Sequence, residues 1–375
     1  MDFFMNKNMR IQLISFIFLT AIVSLILLSC TGNSDLAAHQ ITQRDTILKA
    51  KKDTLSIVAV GDLMLGSAYP AKSGLPPDDA KGSFKNVLPY LKGDIVFGNL
   101  EGCFLNQGKS TKCKDTIGNS CFAFRMPERY AGIYKEAGFN LLSVANNHVG
   151  DFGWKGRKRS SAILDSLGIQ YAGLTTHPYT IFEKDSVKYG FCAFAPNEGT
   201  VSINHIDSAR QLVSFLKKQV DIVIVSFHGG GEGARFEHVT RANEIFYQEN
   251  RGNVYAFAHA VVDAGADIVL GQGPHVTRAV EVYKNKFIAY SLGNFCTYGM
   301  FSLKGPNGFA PLLNVKINGK GDFLYADVVS VKQDKVHRLT LDTAQTAFKK
   351  IISLTAADFP GHNLKFTDQK IRMKD

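Results

Sequence analysis

Between Ser143 and Gly153 the chain reads SVANNHVGDFG, which sets two amides, an imidazole and a carboxylate at the end of an apolar run. Polar groups at the mouth of a buried strand are costly to bury unless they bind something, so Asn146, Asn147, His148 and Asp151 form a candidate site, with Gly150 and Gly153 leaving the loop room. The competing reading is an Asx-type turn carrying a surface histidine, since Asn and Asp favour turns by themselves. Other segments repeat the setting. VAVGDLML ends a hydrophobic run on Gly61-Asp62, and DIVFGNLEG presents Asn99 and Glu101. DIVIVSFH finishes on His228 and continues into Gly229-Gly230-Gly231-Glu232; DIVLGQGPH supplies Gln272 and His275; YSLGNF adds Asn294. A single strand-end Asp or His is more often a cap or a satisfied core group. Recurrence at several strand ends is what points to one shared site, because ligands of α/β sheets collect there.

Two carboxylates, an amide oxygen and two imidazoles, without cysteine, suit Mn, Fe or Zn, and a bridging carboxylate would hold two such ions about 3.5–4 Å apart. The chain has no GxGxxG after a strand, no GxxxxGK[ST] loop and no serine nucleophile elbow. Dinucleotide, P-loop and serine-hydrolase chemistries are therefore set aside.

The elements that must carry these residues alternate. Strands are expected at Leu55 to Val60, Ile95 to Gly98, Leu141 to Ala145, Ile169 to Ala172, Ile222 to Phe227 and Ile268 to Gly271. Helices are expected at Glu128 to Ala137, Lys155 to Leu167, Ile206 to Lys217 and Tyr255 to Ala264, closing near Gly138, Gly168 or Gly265. Such alternation argues for an α/β fold. Thr180 to Phe194 and Val280 to Ala289 read as antiparallel hairpins turning at Lys184-Asp185-Ser186 and Lys284-Asn285-Lys286. Pro311 to Ile317 and Phe323 to Val331 read as edge or sheet-completing strands.

A short basic start, an apolar stretch from Ile11 to Leu28 and Leu27-Leu28-Ser29-Cys30 read as a signal peptide ending in a lipobox, with Cys30 the acylated residue. The alternative is an uncleaved membrane anchor. The expected organisation is a signal peptide over 1–30, a tether over 31–54, the catalytic-type domain over 55–335 and a C-terminal extension over 336–375. About 320 residues beyond the leader suffice for one large α/β domain. Formal net charge is +10, with 45% hydrophobic and 20% charged residues. The cations are scattered and no DNA-reading motif or aromatic stripe accompanies them, so nucleic acid is not an expected partner. An anionic polymer or anionic lipid fits such a surface better. Beyond Cys30 five cysteines remain. Cys113 and Cys121 flank a polar loop in an exported chain and are an expected disulfide, although Cys103 would serve in place of either partner.

The motifs VAVGDLMLGS (Val58 to Ser67), FGNLEG (Phe97 to Gly102), AGFNLLSVANNHVGDFG (Ala137 to Gly153), VSFHGGGEG (Val225 to Gly233), DAGADIVLGQGPHV (Asp263 to Val276) and YSLGNF (Tyr290 to Phe295) occur in this order. As a set they resemble the CapA family, proteins associated with poly-γ-glutamate capsule synthesis that look like a branch of the calcineurin-like metallophosphatases. The resemblance spans Leu55 to Phe301. It implies a four-layer αββα sandwich of mixed sheets and a metal site formed by Asp62, Glu101, Asn147, His228 and His275. It further implies that His148 protonates a leaving group; Asp151 beside it is a second candidate catalytic residue, and Asn99, Asn146, Glu232, Gln272 and Asn294 are candidate substrate contacts. Gln272 stands where the family usually has histidine, which weakens a second ion site, and the tryptophan common after the equivalent of His228 is absent. Two function classes follow: a metal-dependent hydrolase or transferase acting on phosphoester or amide linkages, and a non-catalytic lipoprotein that uses the same cleft to tether poly-γ-glutamate or an envelope glycan.

Overall fold

A computed structural model describes residues 52–113, 121–333 and 338–374. The expected leader, Cys30 and nearly all of the expected tether lie outside the described residues. Among those residues, no helix is long and apolar enough to cross a membrane.

The strands are β1 (Thr54–Met64), β2 (Ile95–Leu100), β3 (Cys103–Phe104), β4 (Arg125–Met126), β5 (Leu141–Ser143), β6 (Gln170–Ala172), β7 (Tyr179–Lys184), β8 (Val187–Phe194), β9 (Ile222–His228) and β10 (Ile245–Phe246). They continue as β11 (Glu249–Asn250), β12 (Ile268–Gln272), β13 (Val280–Tyr283), β14 (Lys286–Ala289), β15 (Asn294–Thr297), β16 (Phe309–Asn318), β17 (Phe323–Gln333), β18 (Leu339–Leu341), β19 (Leu364–Thr367) and β20 (Lys370–Met373). The α-helices are α1 (Ala131–Glu136), α2 (Gly153–Leu167), α3 (Ile206–Lys217), α4 (Val254–Asp263) and α5 (Thr346–Asp358).

One mixed sheet runs β19-β20-β17-β16-β1-β2-β5-β6, and the other runs β13-β14-β12-β9-β8-β7. The period-2 alternation of buried strands explains why the two stack. On β1, β2 and β9, Ile57, Ala59, Ile95, Phe97, Ile222 and Ile224 join the core between the sheets. Their neighbours Val58, Val60 and Val96 point outward to a second core with Ala131 and Tyr134 of α1 and Leu164 of α2. Val223 and Val225 point outward on the other side, onto Ala209 and Val213 of α3 and Phe257 and Val261 of α4. The result is the expected αββα sandwich of mixed sheets.

Both expected hairpins form, and their two-residue turns Asp185-Ser186 and Lys284-Asn285 have positive φ at both positions, the geometry that matches strand twist. The strands read as edge or sheet-completing are internal: β16 lies between β1 and β17, and β17 between β16 and β20. The segment read as a C-terminal extension closes this body. Strand β18 pairs with β17, and the β19–β20 hairpin ends the larger sheet. Phe348 and Ile351 of α5 enter the inter-sheet core while Leu354 joins the outer one.

Candidate metal centre

Each polar strand end lies where its strand stops pairing and its backbone is released. Strand β1 pairs with β16 only as far as Ala59, then with β15 from Asp62 onward, so the kink at Gly61-Asp62 swings Asp62 out of the first ladder. Glycine is required at the kink, because a Cβ on Gly61 would lie 1.8 Å from the Gly293 carbonyl oxygen that accepts from the Asp62 N–H. Gly273 has the same kind of reason: its φ is +116° and a Cβ would meet the Gly229 backbone at 2.7 Å. The two loops that follow β9 and β12 therefore touch, with His228 directly opposite Gln272 in the ladder.

Asp62, Glu101 and His275 each offer a ligand atom, and these atoms lie within 4.8 Å of one another. Asp62 and Glu101 come from the larger sheet and its following loop, His275 from the loop after β12. The His275 Nδ1 is 2.9 Å from Asp62 Oδ2, and its Nε2 is 3.5 Å from Glu101 Oε1. His275 has a φ of +56°, a strained conformation that collects at functional positions. Asn99 sits at the hub. Its Nδ2 donates to Asp62 Oδ1 at 2.8 Å and lies 3.4 Å from His228 Nδ1, while its Oδ1 accepts from Asn146 Nδ2 at 3.1 Å. The side chain is fully buried, so the structure places this expected substrate contact as a brace between Asp62, His228 and Asn146.

A second cluster adjoins the first. His148 Nδ1 bonds Asp151 Oδ2 at 2.7 Å, and its ring stacks on Phe124 with centroids 3.8 Å apart. Asp151 is fully buried, also accepts from the Phe124 N–H at 2.7 Å, and pairs with Lys112 at 3.3 Å. Such a carboxylate orients His148, which places the expected catalytic Asp151 as the positioning partner of that ring. Asn147 lines the pockets beside His148, with its backbone oxygen held by Lys112. Glu232 is paired with Arg251 at 2.8 Å and faces the same pockets. Asn294 stands opposite Asp62 in the β1–β15 ladder and lines the pocket of about 380 Å³ that His148 and His275 share.

Burial sets the electrostatics. It pushes the Glu101 carboxyl well above the usual range, with Asp62 adding to the effect and His275 opposing it. It also works against the charged form of His275, but Glu101 and Asp62 overcome it and hold that imidazole up at about 10. At His228 burial, with Arg251 and His275 nearby, depresses the imidazole far below its ordinary value. Burial lowers His148 too, against the pull of Asp151. The neutral His228 ring and the crowded carboxylate pair are ready to bind a cation, which would displace the proton that Glu101 and Asp62 hold on His275.

The donor set fits a divalent transition ion. Among the buried polar atoms lacking any hydrogen-bond partner are Glu101 Oε1, Asn147 Oδ1, His228 Nε2, Gln272 Oε1 and Asn294 Oδ1. A buried polar atom left unpaired costs about 1–3 kcal/mol, and this group is made of the oxygen and imidazole ligands such ions take. Gln272 donates Nε2 to the Val60 carbonyl at 3.2 Å, which leaves only a neutral amide oxygen where histidine would bind a second ion better.

Sequence reasoning did not find the aromatic wall. Phe122, Phe124, Met300 and Phe301 line the pocket over His148 and His275, and nothing in their local spacing separates them from core residues. Cys113 and Cys121 form a disulfide, while Cys103, Cys192 and Cys296 are buried free thiols. Cys121 directly precedes Phe122 of that wall.

Comparison with known proteins gives a consistent relationship. A family model described as bacterial capsule synthesis protein PGA_cap matches residues 56–298. The capsule biosynthesis protein CapA of Bacillus anthracis is 29% identical over 283 residues, 69% of this chain and 64% of that relative. The PGA biosynthesis protein CapA of Bacillus subtilis strain 168 is 29% identical over 260 residues, covering 65% and 63%. The matched part thus spans less than two thirds of either relative's length. A 5'-nucleotidase precursor from Thermus thermophilus aligns with a TM-score of 0.42 at 13% identity, covering 81% of this chain and 59% of that one.

Proposed function

The chain belongs to the bacterial capsule synthesis protein family PGA_cap, and from that premise we propose that it is an exported, lipid-anchored protein that acts on poly-γ-glutamate or a related envelope polymer. In this reading the buried centre holds one or two divalent ions, Mn, Fe or Zn, and the protein hydrolyses or transfers a phosphoester or amide linkage. The observation that carries the proposal is the convergence of Asp62, Glu101 and His275 from both sheets, with unpaired buried ligand atoms on Glu101 and His228, beside an oriented histidine.

Asp62, Glu101, Asn147, His228 and His275 would hold the metal, with Asn99 fixing Asp62 and the ring of His228. A bound divalent ion supplies Lewis-acid polarisation and neutralises charge that develops on a substrate oxygen. The protein's own proton carrier is His148. Donation of its Nδ1–H to Asp151 fixes the tautomer and leaves Nε2 as the nitrogen that exchanges protons with a ligand. Because burial keeps this ring neutral, it begins a cycle as an acceptor and returns the proton to a leaving group once charged. Phe124 packed on its face keeps the ring from swinging away.

The second reading, a tethering protein without turnover, draws on Gln272, whose amide oxygen is a weak ligand. Elemental analysis of wild type beside His228→Ala, followed by a hydrolysis screen with generic phosphoesters and γ-glutamyl amides, decides between them. Metal in wild type, its loss in His228→Ala and turnover of one substrate class are the expected results. Wild type that is folded, metal-free and still binds polyglutamate would establish the tether instead.

A further inference from the structure

Two cavities away from His148 lies a pocket of about 460 Å³ built around Trp154, the chain's single tryptophan, which is 63% exposed. Its wall includes Arg157, Lys158, Ser161, Tyr171 and His177, and no Asp or Glu lines it; the Tyr171 hydroxyl donates to Asp165 at 3.4 Å. Arg157 is shared with an intervening cavity of about 450 Å³, and that cavity shares Lys112, Asn147 and Asn197 with the pocket in which His148 lies. A continuous groove therefore leads from the oriented histidine to the tryptophan.

Arg157 is what distinguishes this groove from an ordinary surface cleft. Arg129, Arg159, Arg251 and Arg278 each hold a carboxylate. Among the described residues Arg157 pairs with none, and its guanidinium donates only to the Glu198 backbone oxygen at 3.2 Å. The group is nonetheless fixed, because it lies against the bare backbones of Gly150 and Gly199: a Cβ at either would meet Nη1 at 2.8 and 2.6 Å. A positioned guanidinium with no carboxylate partner, at the edge of a pocket that no Asp or Glu lines and with the Ser161 side chain in the same wall, is a fork shaped for a carboxylate.

We infer that the Trp154 pocket is a remote subsite that binds a carboxylate of a chain-like ligand, with Arg157 gripping it while the chain runs along the groove to the metal centre. The inference rests on the polymer reading above and makes it specific: the protein selects length, because a monomer cannot fill both ends. Lys158, whose ammonium lies 5.8 Å from the centre of the Trp154 ring, adds charge without the planar geometry.

Because the chain has one tryptophan, its emission reports on this pocket alone. Full-length, metal-loaded protein would be titrated with free glutamate, poly-γ-glutamate, inorganic phosphate and polyphosphate while Trp154 fluorescence and bound metal are both followed. Saturable change with poly-γ-glutamate and little with glutamate is expected. Arg157→Gln should weaken it about five- to tenfold, the loss of one charge-assisted contact, at unchanged metal content, and Arg157→Lys should restore only part. Should Arg157→Gln fail to fold, Ser161→Asp, which puts an anion in the wall, must weaken binding at least as much. Silent Trp154 emission in protein that retains metal overturns the subsite and leaves the metal centre standing. Equal or tighter response to polyphosphate overturns the carboxylate assignment. A response to poly-γ-glutamate in protein that holds no metal supports the subsite while the catalytic reading fails.

Discussion

Replacing Glu101 by glutamine separates the two things this residue does. Asp62 and Glu101 are both completely buried, and their ligand atoms lie within 4.8 Å along with a His275 nitrogen. At about 5 Å and an effective dielectric of about 20, two carboxylates repel by roughly 3 kcal/mol. Burial, with Asp62 adding to it, raises the Glu101 carboxyl and so favours its protonated form in metal-free protein, with His275 pulling the other way. Glutamine imitates that protonated form, so the chelated variant should melt within about 2 °C of chelated wild type. With metal at about 1,000 times its Kd, wild type gains about 4 kcal/mol. At no more than about 2–4 °C per kcal/mol for a body of this size, chelation should lower its melting point by roughly 5–10 °C. Removing an anionic ligand should weaken the metal at least about 100-fold, or about 2.7 kcal/mol, leaving the variant a shift of only a few degrees. Differential scanning calorimetry with and without chelator measures all four values. Equal metal shifts in the two proteins, or none in wild type, would refute the assignment of Glu101 to a metal.

His148→Ala should keep the metal and lower turnover about 10²–10⁴-fold, whereas Asp151→Asn should change the pH profile before it changes metal content; steady-state rates beside elemental analysis check both. Gln272→His should raise the bound metal per chain, since imidazole replaces an amide oxygen, and titration calorimetry would count the ions. Asp342→Ala should cost about 1–2 kcal/mol, because the carboxylate accepts from the Thr346 and Ala344 N–H groups at the start of α5. Burial pushes that carboxyl up, but those bonds outweigh it and hold it below its ordinary value; the contribution is therefore present at neutral pH and lost as pH falls through the folded value, so the difference in urea midpoint should close in acid. Cys30→Ala should move the protein from the membrane fraction to the soluble one, and unchanged fractionation would count against lipidation.

Much of the site was legible because buried parallel strands are unbroken apolar runs, so an Asp, Asn or His at their ends stands out. Asp62, Glu101 and His275, which the structure brings together, were read this way, as was His228, from strands within a few residues of their observed bounds. The roles of Asn99 and Asp151 were not legible, since an amide that binds a ligand and one that braces ligands have the same sequence. Helix α5 carried a signal that was passed over: Ala347, Phe348, Ile351, Leu354 and Thr355 are its buried residues, at helical spacing. The β19–β20 hairpin is only four residues per strand and rich in lysine and arginine, and it becomes a strand pair by adding to β17. Phe122, Phe124 and Phe301 are wall residues only because distant loops bring them together.

Asp62 and His275 bond each other across 213 positions of sequence, and neither sheet alone owns both sides of the centre. A chain that ends before His275 lacks one side of it altogether. Whatever reactivity the centre has is thus delayed until both sheets have docked, an all-or-nothing arrival that would keep a chain inert while it is still being made.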